Sequence, residues 1–595
     1  MALKTRARRA ALALGAVAIG AAALTATGGA TGPRSLSPAE LLQDMTLEEK
    51  VGQLFVTYAY GPTANSAHPK NREEFGVDTP AQVVQKYHLG GIIHFTWTDS
   101  LHTPKQIAEL SNGLQDAAIN SGAKVPLLIS TDQEQGQVTR IPEPATQFPG
   151  NMALGAGRSA EDADRAAAIT GQELRAMGLN QNFAPSGDVN VNPANPVIGV
   201  RSFSSDPALA AQLTAAQIHG YEDSAKPAEG VSASVKHFPG HGDTHQDSHT
   251  DLPVIEHDRQ QWEQVDAPPF REAIAAGTDM VMSAHIVMPK LDDSGEPATL
   301  SPRVLTGMLR EELGYQGVIV TDSLKMDGVR QKHPDAEIPV LALQAGADML
   351  LMPFNLQLAI DSVVDAVHTG RLTEQRIDQS VTRILNLKAS RGVLADPFVD
   401  VSEVDKIVGV PEHLAEAQRI TDRTTTVLRN DGVLPLKPPA TMFVTGAGNK
   451  ATASLAEQIR ARGPQTSALA TGLQPTPEQI DQAVEQARRN DVTVVLTNAA
   501  WNPDNATQLD LLRALQQTGE PVVAVAVREP YDAAHVDLPA WVATYSDKAV
   551  AMESLTKVLF GEIAPVGKLP VSVPDPNQPG VDKYPFGHGL GWGRP

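Results

Sequence analysis

The 595-residue sequence has no cysteine. Disulfide bridges, thiolate metal ligands, a cysteine nucleophile and a thioether-linked lipid are therefore excluded, and stability has to come from packing. Positive charge is scarce as well: 48 Lys and Arg stand against 69 Asp and Glu, a formal net charge of −21. Nucleic acid or an anionic membrane would be repelled over most of such a surface, whereas a small neutral substrate would not. The apolar run 10–24 falls short of the roughly 20 residues that a membrane-spanning helix needs. Preceded by the basic residues Lys4, Arg6, Arg8 and Arg9 and followed by small residues at 26–32, it reads as an export signal spanning 1–32 that is removed. The Arg8-Arg9 pair leaves twin-arginine and general export both open. No acidic residue precedes Glu40, so loss of the four basic residues takes the charge from −21 to −25. The expected product is a secreted or wall-associated monomer with no stable membrane anchor. Solenoid repeats are missing, as are low-complexity tracts beyond the signal.

What the sequence does have is hydrophobic content, 42% against 20% charged residues, enough for two cores in a chain of this length. Between 33 and 395, short β-branched runs alternate with longer segments of helical spacing, the pattern of βα units. Strands are predicted at 51–58, 91–95, 126–131, 181–184, 232–237, 280–284, 318–321 and 349–352, the number that closes a (β/α)8 TIM-like barrel. Helices at 103–120, 159–177 and 206–222 open on Thr, Ser and Asp caps. After a helical stretch at 372–394 and a linker at 396–422 containing Pro397 and Pro411, a C-terminal α/β sandwich domain is predicted at 423–595. Its strands fall at 442–445, 493–497, 522–527 and 542–545. Asp132, Lys236, His237, His285 and Asp322 all lie at or just past the carboxyl end of a predicted barrel strand, and those ends converge on the face where such barrels hold their sites.

The stretch from Lys236 to Asp251 carries histidines at 237, 241, 245 and 249. On a helix that spacing would stack imidazoles as metal ligands require. Pro239, Gly240 and Gly242 argue against a helix, so the segment reads as a strand end leading into a long loop, and neither metal nor cofactor is predicted. In such a loop Asp247 and His249 can point the same way. The carboxylate then bonds one imidazole nitrogen and leaves the other for substrate, which makes a proton shuttle. The same residue types in turns also serve simply to satisfy backbone groups. His241, His245 and Asp243 read as loop-stabilising. Asp322, directly after a strand, suits a nucleophile or a helix cap.

Lys236-His237-Phe238-Pro239-Gly240-His241-Gly242 with Asp247-Ser248-His249 resembles the signature of the family 3 glycoside hydrolases, in their β-N-acetylglucosaminidase branch. The resemblance continues through Asn182-Phe183-Ala184-Pro185, Asp188-Val189-Asn190, Asn195-Pro196-Val197-Ile198-Gly199, Arg201-Ser202-Phe203 and Met282-Ser283-Ala284-His285. It extends through the segment from Gly317 to Leu324, and reaches the second domain at Leu428-Arg429-Asn430-Asp431-Gly432 and Gly567-Lys568-Leu569-Pro570. It implies that Asp322 is the nucleophile and that Asp247 and His249 form the acid/base dyad of a retaining enzyme acting on terminal β-linked N-acetylglucosamine. It further implies that Asp132, Arg201, Lys236 and His237, with Arg140 and His285, hold the hydroxyls of a small carbohydrate substrate.

One departure stands out: Gln135 and Gln137 replace the glycine and arginine usual in relatives, beside the sugar pocket, where they bear on contacts with the sugar, so the resemblance fixes reaction type more firmly than substrate preference. Several rivals remain. A β-glucosidase or β-xylosidase of the same family would take its acid/base glutamate from the second domain. A glycoside phosphorylase would exploit an uncharged imidazole that does not repel phosphate. A metal-dependent hydrolase would lose activity to a chelator, and a wall-binding protein would bind sugar without turnover.

Overall fold

A computed structural model of the chain describes residues 37–223, 230–437 and 439–592, so the export signal expected at 1–32 lies outside the described residues. Eight strands make the first sheet: β1 (Phe55–Thr57), β2 (Gly91–Ile93), β3 (Leu128–Thr131), β4 (Gln181–Asn182), β5 (Ser232–Phe238), β6 (Met280–Ser283), β7 (Val318–Val320) and β8 (Leu350–Leu351). Sequential strands pair in parallel, and β1 also pairs with β8. A parallel bridge from Val320 to Met349 joins β7 to β8 and closes the barrel. Every residue of these strands is buried, as expected when helices cover the outside and side chains fill the inside.

The surrounding helices start where the sequence supplies a cap. Thr103 accepts from the Gln106 amide ahead of Pro104–Ile119, Ser159 from Asp162 ahead of Ala160–Ala176, and Asp206 from Leu209 ahead of Pro207–Glu222. The same chemistry corrects the first predicted strand. Thr46 and Glu49 form a reciprocal capping box, so Leu47–Gln53 is helical and only Phe55–Thr57 is strand.

The second domain is built on a six-stranded sheet in the order β11-β10-β12-β13-β14-β9. Its strands are β9 (Thr426–Asn430), β10 (Thr441–Gly446), β11 (Gln465–Ala470), β12 (Val492–Thr497), β13 (Val522–Ala526) and β14 (Ala540–Ala543), all parallel except β9, which runs antiparallel to β14. Alternate residues feed separate cores on the two faces, Phe443, Val495 and Ala524 on one, Val444, Val494 and Val523 on the other. Within 396–422, the helix Pro411–Thr421 packs on both the barrel helix Ala160–Ala176 and the second-domain helix Ala549–Leu559. Gln418 Nε2 donates to Ser554 Oγ at 2.8 Å across that contact.

Candidate active site

At the carboxyl end of the barrel lies a cavity of about 580 Å³, lined by residues between Ile93 and Met352. Asp132, Arg140, Arg201, Lys236, His237, Asp247, His249 and Asp322 all line it; no lining residue comes from the second domain.

Its floor is a four-membered charge cluster. Lys236 Nζ, from β5, reaches Asp132 Oδ1 at 3.0 Å and Glu134 Oε1 at 2.6 Å. Arg201 grips the same Glu134 with two bonds of 2.8 Å, Nε to Oε2 and Nη2 to Oε1, the geometry a planar guanidinium is built for. Burial pushes the Glu134 carboxyl up, but Arg201 and Lys236 outweigh it and hold the group well below the usual carboxylate range. For Lys236 burial acts downward and Asp132 and Glu134 overcome it, so the ammonium is held charged. Two cations and two carboxylates thus neutralise one another with little water between them, and Asp132 keeps the more open carboxylate, the one free to accept hydroxyls.

Beside this floor, His237 gives Nδ1 to Asp188 Oδ2 at 2.7 Å, with its Nε2 3.4 Å from Arg201 Nη2. The fully buried Asp188 also accepts the His237 and His241 amides at 3.2 and 2.7 Å, so one carboxylate orients the whole bend after β5. His241 turns inward to Ser248 Oγ at 3.0 Å and is pushed down by burial to about 4. Asp243 and Asp266 clasp His257 at 2.9 and 2.6 Å; hydrogen bonding to Asp243 and then Asp266 pushes its imidazole up to about 10. His245 is exposed. The four histidines spaced by four therefore face different partners, and among the described residues no group of three or more His, Asp or Glu is placed to hold a metal ion.

Asp322 follows β7. Burial pushes its carboxyl up, but His237 and His285, together with the Ser323 N–H bonded to Oδ1 at 2.7 Å, hold it below its ordinary value. Also lining the cavity, Asp247 Oδ1 accepts both the His249 amide at 2.8 Å and His249 Nδ1 at 2.7 Å, so Nε2 is the ring nitrogen that Asp247 does not engage. The loop carrying this pair is tied to the segment after Asp322: the Asp327 and Gly328 amides donate to the His249 and Ser248 carbonyls at 3.3 and 3.2 Å. Gly328 has to be glycine for this closeness, since a Cβ there would lie 2.7 Å from Asp251 O and 2.8 Å from Ser248 O.

His285 is placed differently from the other predicted sugar contacts. It does not line the cavity but sits fully buried behind it, with Nε2 2.9 Å from Ser323 O and Nδ1 2.9 Å from Thr299 Oγ1. A carbonyl at that distance requires the proton on Nε2, so His285 positions the Ser323 peptide and through it Asp322. Arg140 borders the cavity with its guanidinium 5.8 Å from the centre of the Phe95 ring.

A carboxylate at a strand end, a carboxylate-bound imidazole on the same cavity and a charged floor for hydroxyls form a set suited to glycosyl transfer. The model of the glycosyl hydrolase family 3 N-terminal domain matches residues 46–387, and that of the family's C-terminal domain matches 425–592. The chain belongs to glycoside hydrolase family 3. It is 35% identical to β-hexosaminidase A of Pseudoalteromonas piscicida over 83% of this chain and 90% of that protein. A β-N-acetylglucosaminidase/β-glucosidase of Cellulomonas fimi is 32% identical over 66% of this chain and 67% of its own length. Among solved structures, a family 3 β-N-acetylglucosaminidase from Paenibacillus sp. str. FPU-7 superposes with a TM-score of 0.81 at 38% identity, covering 89% of this chain and 99% of that one. The protein is thus a glycoside hydrolase.

Two features of this family 3 enzyme answer questions the sequence raised. Gln135 adopts a left-handed backbone (φ 71°) and its side chain turns away from the cavity. It donates to Thr170 Oγ1 at 3.0 Å and accepts the Phe148 amide at 3.1 Å, so it braces the barrel wall and lies outside the cavity lining. Gln137 does line the cavity. The second domain acts from outside: Glu529 Oε1 accepts the Val200 amide at 3.3 Å and Tyr531 Oη meets Asn190 Nδ2 at 3.1 Å, steadying the loop that delivers Arg201. Glu134, Asp188 and Glu529 were not singled out as site residues. The available signal for Glu134 was its position two residues past Asp132, facing two cations that a single carboxylate could not balance.

Proposed function

We propose that the protein is a secreted, monomeric, retaining exo-β-N-acetylglucosaminidase that removes terminal N-acetylglucosamine from chitin oligosaccharides or peptidoglycan fragments. The observation that carries this reading is the placement of Asp322 and the Asp247/His249 pair on one cavity over the Asp132–Lys236–Glu134–Arg201 floor. The floor holds the hydroxyls of the terminal sugar. Asp322 attacks the anomeric carbon while His249, oriented through Nδ1 by Asp247, gives a proton to the departing oxygen. His249 then takes a proton from the water that releases the glycosyl-enzyme, and two inversions give retention. The basic and apolar segment at 1–32 supports export, and with it wall fragments or environmental chitin as substrate.

A glucosidase or xylosidase reading is disfavoured because a second-domain acid/base would have to enter a cavity that this domain does not line. The test is a screen of nitrophenyl β-glycosides with and without phosphate. The N-acetylglucosaminide should be the preferred substrate, and free N-acetylglucosamine the product in both conditions. Preference for glucoside or xyloside, or formation of glycosyl phosphate, would sink the proposal.

A further inference from the structure

The charged floor accounts for one sugar and leaves a large aromatic surface at the rim unused. Trp97, on the loop after β2, lines the cavity and yet is 49% exposed. Its exposure is fixed by the structure around it. The indole stacks on Phe95 with ring centroids 5.1 Å apart and planes 18° apart, and Tyr58 meets it edge-on at 4.7 Å. Tyr58 and Tyr60 are themselves tethered, since both hydroxyls donate to Glu74. Lys325, three residues past Asp322, caps the Tyr58 ring at 5.0 Å and lies 3.8 Å from Glu74. With Phe95 stacked on it and Tyr58 and Tyr60 inclined to it at 71° and 62°, the indole is braced by three rings while about half of its surface stays open, so binding against it loses little conformational entropy.

A pyranose presents a face of C–H bonds, which suits a flat, immobile, amphipathic ring. In an exo-acting enzyme the terminal sugar occupies the floor, so any further sugar must lie on the leaving-group side, outward from Asp322 and His249. Lys325 and Glu74 pair with each other beside this platform, so the indole itself offers an apolar surface suited to a ring's C–H face. We propose that Trp97 is the platform of a second subsite that stacks the leaving sugar, a neutral pyranose such as a second N-acetylglucosamine, and so favours oligosaccharides over simple glycosides. This rests on reading the cavity as an N-acetylglucosamine site.

The experiment compares wild type, Trp97→Ala and Trp97→Phe on two substrates: di-N-acetylchitobiose, which has a leaving sugar, and N-acetyl-β-glucosaminyl fluoride, whose leaving group is one atom. Trp97→Ala should lower kcat/KM on the disaccharide about 10-fold, mainly through KM, and change the fluoride less than about twofold, with Trp97→Phe keeping most of the disaccharide activity. Equal losses on both substrates would make Trp97 a structural residue, and no loss on either would remove the subsite; each overturns the proposal. A wild-type enzyme inert toward both compounds would instead overturn the N-acetylglucosaminidase reading on which the subsite depends.

Discussion

The floor of the cavity and its histidine wall differ most in the water they see. Lys236, Glu134 and Arg201 keep 3%, 2% and 11% of their side-chain surface exposed, whereas Asp247 and His249 keep 40% and 60%. The floor has one task, to hold charges and donors in place for hydroxyls, and a dry, mutually neutralised cluster does so without reorganising when substrate arrives. The wall must exchange a proton with the leaving oxygen and later with water, and an open imidazole has the access for both. Asp322 lies between these extremes, shielded enough to attack and held ionised by its imidazole neighbours.

Substitutions that break this contrast should scale with it. Asp322→Asn removes the attacking group and should lower kcat by about 10⁴-fold or more in steady-state assays, with fold retained by circular dichroism. His249→Ala should lose about 10²- to 10⁴-fold in kcat/KM on di-N-acetylchitobiose, whose leaving oxygen needs a proton, but far less on the glycosyl fluoride, and added azide should restore turnover of the glycosyl-enzyme. Loss of both activities in equal measure would contradict a wall devoted to proton transfer. Glu134→Gln leaves two buried cations short of their carboxylate and should destabilise the fold by about 3–5 kcal/mol in denaturant melts, while Asp247→Asn on the wall should cost less than about 1 kcal/mol.

Stability against pH separates other regions. Glu134 and Asp322 have depressed folded values, so their stabilisation is present above the unfolded carboxylate range and is lost as pH falls through the folded values. His257 has the opposite sign: raised from 6.5 to about 10, it contributes fully below pH 6.5 and fades as pH climbs toward 10. Thermal melts from pH 6 to 10 should show this alkaline loss in wild type and a flatter profile in His257→Gln. The smallest effect expected is on Arg201 delivery, where Glu529→Gln should raise KM a few-fold and leave kcat nearly unchanged, a split that a general folding defect would not produce.

The barrel was legible because most of its strands are fully buried runs rich in Val and Ile and its helices announce themselves with caps such as Ser159 and Asp206. Boundaries failed where two signals overlapped: Val51–Gln53 continues the apolar run of β1, but the Thr46/Glu49 capping box captures it for a helix. In the second domain β9 and β11 escaped notice. The edge strand β11 has no buried residue and carries Gln465, Thr466 and Ser467, so it lacks the apolar run that marks its neighbours. In the site, residues with a sequence pattern were found and residues defined by three-dimensional charge balance were not. Glu134 is meaningful only once Arg201, 67 residues away, is seen to grip it. The role of Gln135 was hidden for the same reason, because sequence adjacency to Asp132 does not reveal its left-handed backbone or its bonds to Thr170 and Phe148.

The two amides that run from Asp327 and Gly328 to the carbonyls of the 248–249 turn mean that the attacking group and the proton relay share one mechanical seam. Any sequence change between 323 and 328 that shifts one of them drags the other along, so formation and breakdown of the glycosyl-enzyme are expected to vary in concert across variants of this short segment. A library confined to it would trade speed for speed in both half-reactions together, and retuning the relay alone would call for changes elsewhere in the loop, between 241 and 247.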